Sequence, residues 1–184
     1  GYAGLNVSIS NCTVDVTVTG SGNYVGGIAG SYDGNVIQGC SADGEITGVG
    51  YVGGIVGNST ADISNCSVDA TITGTGNCIG GIVGGGEGTS VTNCEAYGSV
   101  TGVHYTGGIM GNGEADISGC SNYAIVKGNE RVGGMIGNGF NCSVSGCFNF
   151  EKISGSAGIA GIVGLADNVD ILSCYNLADI SGNY

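Results

Sequence analysis

Apolar and polar residues alternate along short segments of this chain. Between Cys66 and Ile72 every second residue is apolar or small, and the residues between them are polar. Successive side chains of a β-strand point to opposite faces, so a period of two predicts a strand with one buried face. The same register begins at Cys12, Cys40 and Cys94. The pattern predicts a series of similar strands, each with its cysteine turned inward.

The alternating segment belongs to a repeat of about 27 residues. A Gly-Gly-apolar group, with alanine as its first residue in the last copy, recurs at Gly26, Gly53, Gly80, Gly107, Gly133 and Ala160. Seven of the nine cysteines, here called the ladder cysteines, keep the same spacing: Cys12, Cys40, Cys66, Cys94, Cys120, Cys147 and Cys174. One unit of this length cannot bury its apolar face alone, whereas stacked units can. Stacking in register aligns equivalent side chains about 4.8 Å apart.

Two positions in each unit interrupt the strands. The residue eight places after each ladder cysteine is always glycine, which marks a corner that needs a positive φ or a close backbone approach. Three residues before each ladder cysteine lies Ile or Val, and this odd offset requires a bend in between. We place the bend at residues that tolerate left-handed φ, namely Asn11, Asn65 and Asn93, or Gly39, Gly119 and Gly146.

These features predict an all-β, single-domain parallel β-helix, or solenoid, over residues 1–184. We expect about seven coils of 27 residues with three short strands each, in units near 12–39, 40–65, 66–93, 94–119, 120–146, 147–173 and a partial 174–184. The coil should be right-handed, because crossovers between parallel strands almost always are. A β-sandwich or barrel is the alternative, since strands spaced about 8–12 residues apart also suit those folds. The strict repeat argues against it.

Composition narrows the classes of partner. The chain has 41 Gly and no Pro, which excludes collagen. Its net charge is -12, and its only Lys and Arg residues are Lys127, Arg131 and Lys152. Nucleic acids and anionic lipid surfaces need cations on the protein, so neither is a predicted partner. No apolar run approaches the roughly 18 residues of a membrane span, so we expect no membrane insertion.

The cysteines have a structural interpretation. In an inward column the thiols act as small apolar core residues, and the parallel Cβ vectors suit disulfides poorly. Cys78 falls outside the ladder, at a corner where other units have Tyr24, Tyr51 or Tyr105, and is the thiol expected to be most exposed. No Cys-x-x-Cys motif is present, which argues against zinc. No cofactor is predicted.

The repeat also carries a family resemblance. Three segments of one unit carry it: YVGGIVG at Tyr51–Gly57, ISNC at Ile63–Cys66 and ITG at Ile72–Gly74. This pattern resembles the GLUG repeat, with Arg131 and Met135 as mild departures. GLUG repeats occur in secreted and surface proteins of bacteria, including adhesin-like proteins and the non-catalytic part of some immunoglobulin-A-cleaving metallopeptidases. The resemblance implies an extracellular or cell-surface location, and it assigns no chemistry.

Aromatic residues gather on the outer face of the later units. Period two places Tyr97, Tyr123 and Phe150 in one outer column, and Phe148 and Tyr175 in the neighbouring column. A contiguous exposed apolar area usually marks an interaction site. Flat rings in a row could stack on sugar faces or receive a partner protein. We expect these five residues to form a binding surface.

Aspartates occupy the same outer column in the earlier units. Asp15, Asp43 and Asp69 would stack about 4.8 Å apart, and facing carboxylates could hold Ca²⁺ or act as acid and base. The first 126 residues contain no Lys or Arg, so nothing there would stabilise a developing negative charge. No catalytic residue is predicted. A metal site at these three aspartates is kept as a hypothesis.

The sequence favours a non-enzymatic segment of a bacterial surface or secreted protein, acting as a stalk or as an adhesive binding surface. Its predicted partners are a host glycan or surface protein, and further domains of a longer parent chain. The alternative is a polysaccharide-active β-helix, similar to lyases or hydrolases, that uses the acidic ladder. That alternative rests on fold analogy, which does not by itself assign a function.

Overall fold

The alternating segments form strands that wind into a parallel β-solenoid of about six turns. The computed structural model describes residues 1–3 and 7–182; Tyr184, at the end of the predicted domain, lies outside the described residues. Every strand pairing among the described residues is parallel, which rules out the sandwich alternative. The predicted number of about seven coils is larger because the prediction included the partial unit at 174–184. Within the described ranges no helix is long and apolar enough to cross a membrane.

The described residues form 25 strands, which are short and occur in chain order as follows. They are β1 (Tyr2–Ala3), β2 (Ser8–Ser10), β3 (Thr13–Thr19), β4 (Val25–Gly26), β5 (Ala29–Tyr32), β6 (Val36–Gln38), β7 (Ser41–Gly48), β8 (Val52–Gly53), β9 (Val56–Ser59), β10 (Asp62–Ser64), β11 (Ser67–Gly74), β12 (Asn77–Gly80), β13 (Val83–Thr92), β14 (Glu95–Thr101), β15 (His104–Gly107), β16 (Met110–Ser118), β17 (Ser121–Lys127), β18 (Glu130–Gly133), β19 (Ile136–Ser145), β20 (Phe148–Asn149), β21 (Ile153–Gly155), β22 (Ala157–Ala160), β23 (Val163–Leu172), β24 (Tyr175–Asn176) and β25 (Ile180–Gly182).

Three parallel sheets make the walls of the solenoid. The first sheet has ten strands and includes β5, β9, β13, β16, β19 and β23. The second has nine and includes the strands that follow the ladder cysteines, from β3 to β25. The third has six, from β4 to β22. Equivalent residues are in register, so that Ile72 pairs with Ile46 on one side and Val100 on the other. The three-strand coil and its register are confirmed.

The core lies between the three sheets. Alternate residues of β11 are buried, with Val68 and Ile72 at 1% and 0% exposure, while Thr71 is exposed. The five inner ladder cysteines, Cys40 to Cys147, are buried as well. Each ladder thiol lies close to the carbonyl oxygen two residues before it, for example Cys66 Sγ to Ser64 O at 3.3 Å. All nine cysteines are free.

Left-handed residues form the bend before each ladder cysteine, as the offset predicted. The φ angle is 53° at Asn11 and Asn65, and 51° at Asn93. It is between 59° and 61° at Gly39, Gly119 and Gly146. Asparagine and glycine tolerate this conformation better than other residues do. The bend reverses the alternation and lets both Ile63 and Cys66 face the core.

The repeated glycines are required by close approach. A Cβ on Gly74 would lie 2.0 Å from Ile79 Cδ1, and the φ of Gly74 is ordinary. The second glycine of each Gly-Gly group packs against the second sheet, where a Cβ on Gly54 would lie 2.5 Å from Val68 Cγ1. For the corner glycines the sequence left open a positive φ or a close approach of backbone. Neither applies at Gly74, because the atom that comes close belongs to the side chain of Ile79.

The expectation that Cys78 is the most exposed thiol is wrong. Cys78 is 3% exposed, whereas Cys12 is exposed. Register places Cys78 between Tyr51 and Tyr105 in the corner column, so its short side chain is covered by larger neighbours. Burial raises the pKa of the Cys78 thiol from 9.0 to about 11.

Candidate binding surface

The second sheet turns its outer face, and the aromatic residues on it, toward solvent. Tyr97 lies on β14 and pairs in register with Tyr123 on β17, and Phe148 on β20 pairs with Tyr175 on β24. Phe150 directly follows β20. All five predicted residues therefore lie on the outer face, in the two columns that the alternation predicts. Their role in binding stays a prediction.

The five rings form one continuous surface, here called the aromatic strip (Tyr97, Tyr123, Phe148, Phe150 and Tyr175). Ring centroids are 4.7 Å apart for both Tyr97–Tyr123 and Tyr123–Phe150, with interplanar angles of 6° and 4°. Phe148 stacks on Tyr175 at 5.5 Å and lies 6.0 Å from Phe150, which joins the columns. Aromatic pairs at such distances contribute about 0.5–1.5 kcal/mol beyond their buried area.

Stacking determines which part of each ring is accessible. Tyr123 has a parallel ring 4.7 Å away on either side, so both of its faces are covered. The strip therefore presents ring edges to solvent. A sugar stacks on a free ring face, and the strip offers no such face at its centre.

The strip is exposed and has apolar neighbours. Tyr97, Phe148 and Phe150 are each 36% exposed and Tyr175 is 55% exposed. The apolar area is extended by exposed neighbours on the same face, Ile125 and Leu177. A contiguous apolar area of this kind is typical of an interaction site.

One hydrogen bond orients the first ring of the strip. The Tyr97 hydroxyl donates to Glu95 Oε2 at 2.9 Å. This bond to a carboxylate raises the pKa of Tyr97, with smaller contributions from burial and from the Glu95 charge. The hydroxyl therefore stays protonated, and the polar end of the ring is held beside an acidic group.

A ladder of buried asparagines lies behind the strip, and the sequence analysis missed it. Asn122 Nδ2 donates to Asn149 Oδ1 at 2.7 Å, and Asn149 Nδ2 donates to Asn176 Oδ1 at 2.6 Å. Asn122 and Asn149 are fully buried. The sequence does contain a sign of this ladder. Each of the last three ladder cysteines is followed two residues later by an asparagine, at the inward position that holds Val68 or Ala96 in earlier coils.

The asparagine ladder also shapes the backbone beneath the rings. Asn149 Nδ2 donates to Glu151 O at 2.9 Å, and Asn176 Nδ2 donates to Ala178 O at 2.7 Å. Asn122 makes the same bond to Ala124 O at 2.9 Å within the continuous strand β17. In the two following coils the second sheet is interrupted at this point, between β20 and β21 and again between β24 and β25. Phe150 lies in the first of these interruptions.

The aspartate column continues the same outer column toward the N-terminus. Asp15 pairs with Asp43, Asp43 with Asp69, and Asp69 with Tyr97. The three carboxylates are exposed. Within the described part of the chain, no group of three or more His, Cys, Asp or Glu side chains is arranged to hold a metal ion. The structure thus aligns the three aspartates without assembling the ligand set that the metal hypothesis requires.

One coil of the solenoid matches a known family model. Residues 48–73 fit the model described as the GLUG motif. The match runs from the corner glycine Gly48 through β8, β9 and β10, past the left-handed Asn65, and along most of β11. One GLUG motif therefore corresponds to one turn of the solenoid, and the other coils repeat its pattern.

The fold is similar to that of a solved bacterial structure. A crystal structure described as a "putative immunoglobulin A1 protease" from Bacteroides ovatus matches with a TM-score of 0.70 and 16% sequence identity. The match covers 96% of this chain and 60% of that chain. At this identity the similarity shows the fold alone. No curated protein matches the sequence.

Proposed function

We propose that this chain is a non-enzymatic segment of a bacterial surface or secreted protein, and that it holds a partner protein on the aromatic strip. The observation that carries the proposal is the exposure of five stacked rings on one sheet face. The rings are held in place by their neighbours, so little side-chain entropy is lost when a partner covers them. The solenoid itself serves as the stalk.

The chemistry of the strip favours a protein with an apolar patch and a basic rim. Ring edges and exposed aliphatic groups offer apolar contact, and aromatic anchors are enriched in protein interfaces. Asp69 and Glu95 lie beside the first ring of the strip, and the whole chain has a net charge of -12. Complementary charge on the partner would speed its association.

The extracellular setting is supported by the comparisons. The GLUG motif and the fold of the Bacteroides ovatus protein both agree with a secreted or surface protein. The enzymatic alternative has less support. Its acidic column lies in the part of the chain that precedes Lys127, where no Lys or Arg occurs.

The test compares a strip variant with a matched control. The strip variant replaces Tyr123 and Phe150 by Ser, and the control replaces Thr71 and Thr73 by Ser on the outer face of β11. Each protein is passed over immobilised immunoglobulin A1, which the name of the solved neighbour suggests as a probe, and over extracellular proteins graded by net charge. Surface plasmon resonance measures the dissociation constants.

We expect the unmodified chain and the control to bind a basic member of the panel equally. The strip variant should bind at least tenfold more weakly, since two anchor residues are removed. Circular dichroism should show an unchanged β spectrum for all three proteins. If the strip variant binds as tightly as the control does, the binding surface lies elsewhere. If the unmodified chain binds no member, the segment is a stalk only.

A further inference from the structure

We propose a second binding site, a groove beside Tyr51 that takes one neutral sugar residue of a glycan. The groove holds about 190 Å³, and its walls include Tyr24, Tyr51, Asn58, Thr60, Glu87 and Asn112. Sites for drug-sized ligands hold roughly 300–1,000 Å³, so this volume suits a single ring. The groove lies where the third sheet meets the first, so it does not involve the aromatic strip.

One side of the groove is a column of amides that is interrupted once. Asn58, Gly85 and Asn112 are aligned in register on the outer face of the first sheet. One coil further on, Asn138 Nδ2 donates to Asn112 Oδ1 at 2.6 Å, as a complete amide ladder would. Gly85 breaks that ladder, and the Tyr51 ring fills the space between the amides of Asn58 and Asn112. The groove opens beside this ring, along Gly86 and Glu87. The side chain of Asn58 forms no hydrogen bond within the described residues.

Aromatic rings form another side of the groove. Tyr51 Cδ1 lies 2.7 Å from the position that a Cβ on Gly85 would occupy, so this ring takes the place of the missing side chain. The Tyr24 and Tyr51 rings are in contact, with centroids 5.1 Å apart and a tilt of 38°. This tilt contrasts with the parallel rings of the aromatic strip. The apolar face of a sugar can rest against such a ring.

The polar groups of the groove match sugar hydroxyls. The amides of Asn58 and Asn112 both donate and accept hydrogen bonds, as does a hydroxyl group. Glu87 adds an exposed carboxylate, and Thr60 Oγ1 donates to Asp33 Oδ1 at 3.3 Å. No Lys, Arg or His lines the groove. Acidic sugars would be repelled by Glu87 and Asp33, so the ligand class is neutral sugars.

The test disrupts the side of the groove that Tyr51 forms. In Gly85→Asn the missing amide is restored in the space that the Tyr51 ring fills. The matched control is Ser31→Asn, which adds the same side chain to the same column beyond Asn58, outside the groove. Because Gly85→Asn must displace the Tyr51 ring, Tyr51→Asn serves as a second variant. It removes the ring and suits the left-handed φ of 51° at that position.

The probe is a glycan array of neutral, amino and acidic sugars, followed by NMR titration with the strongest neutral array member. We expect binding by the unmodified chain and by Ser31→Asn, and at least a tenfold loss in Gly85→Asn and Tyr51→Asn. The variant with Ser at positions 123 and 150 should bind the sugar normally, which separates this site from the proposed protein-binding strip. The proposal is wrong if the chain binds only acidic or amino sugars, or if it binds no sugar at millimolar concentration. It is also wrong if both groove variants bind as tightly as the control does.

Discussion

The first and the last coils of the solenoid are interrupted in different sheets, and in the coils between them β13, β14, β16 and β17 are all continuous. In the earlier coils the second sheet is continuous, as in β11, and the first sheet is interrupted between β9 and β10. In the later coils the first sheet is continuous, as in β19, and the second is interrupted between β20 and β21. Both interruptions coincide with a local side-chain hydrogen bond, from Ala61 N to Ser59 Oγ and from Asn149 Nδ2 to Glu151 O.

The inside and the outside of the second sheet both change between the two regions. The earlier coils place Val68 inward and Asp69 outward, whereas the later coils place Asn149 inward and Phe150 outward. The coil between them has Ala96 inward and Tyr97 outward, so the outer face changes one coil before the inner face does. The 27-residue coil therefore tolerates each of these combinations of inner and outer residues.

The largest expected effect comes from a charge in the apolar region. Ile72→Asp should unfold the chain, because an unpaired buried carboxylate costs several kcal/mol against a total stability of about 5–15 kcal/mol. Thr71→Asp, one residue away on the exposed face, should cost about 1 kcal/mol or less despite its neighbour Glu45. Thermal unfolding followed by circular dichroism checks both. Equal melting temperatures would show that the inward face of β11 is assigned wrongly.

An intermediate effect is expected from the polar ladder. Asn149→Ala removes the acceptor of Asn122 and the donor to Asn176, so one buried and one half-buried amide lose a partner. At roughly 1–3 kcal/mol for each unsatisfied group, we expect a loss of about 2–4 kcal/mol. Val68→Ala, at the equivalent apolar position, should cost about 1–2 kcal/mol through lost burial. Urea unfolding measures both; a smaller loss for Asn149→Ala would mean that the amide ladder adds little stability.

The smallest effect is expected in the corner column. The earlier region has Cys78 in this column, and the later region has Arg131. The Arg131 guanidinium lies 4.9 Å from the centroid of the Tyr105 ring. The pKa of Cys78 is raised by burial from 9.0 to about 11, so the folded state favours the neutral thiol. That contribution is complete below pH 9 and is lost as the pH rises through about 11.

The free energy of unfolding should therefore fall by about 2–3 kcal/mol more in the unmodified chain than in Cys78→Ala across this window. Urea titrations at several pH values between 8 and 11.5, roughly spanning both pKa values, measure the difference. The Arg131→Ala variant should retain the full dependence of the unmodified chain. Parallel pH profiles for the unmodified chain and Cys78→Ala would show that the thiol is not buried.

Most of the fold could be predicted from the repeat, because each prediction rested on a position that recurs in every coil. The inward cysteines, the left-handed bend at Asn65 and the corner at Gly74 all occur six or seven times in the sequence. A residue type that recurs at the same position in every coil indicates a backbone requirement that all coils share. The outward direction of Tyr97 and Tyr123 followed from the same register.

Features that depend on the neighbouring coil were harder to predict. The exposure of Cys78 was misjudged because its burial comes from the tyrosines above and below it, Tyr51 and Tyr105. The asparagine ladder was not predicted, because a polar side chain in an inward position is stabilised only by a hydrogen bond to the matching amide of the next coil. The groove was not predicted, because its walls come from several neighbouring coils, from Tyr24 to Asn112, and a single unit does not reveal it.

The one-residue irregularities of the repeat bear on how such a chain can change in length. The register between β13 and β16 shifts by one residue after Glu87, and a further shift lies between Gly113 and Ile117. Pairing resumes beyond each shift, so a single added or deleted residue is absorbed at one corner. An inserted coil would pair with the strands of the preceding and the following coil as the present coils do, and it would lengthen the molecule by about 4.8 Å. Reach could thus be tuned by duplication of a gene segment, independently of what the surface binds.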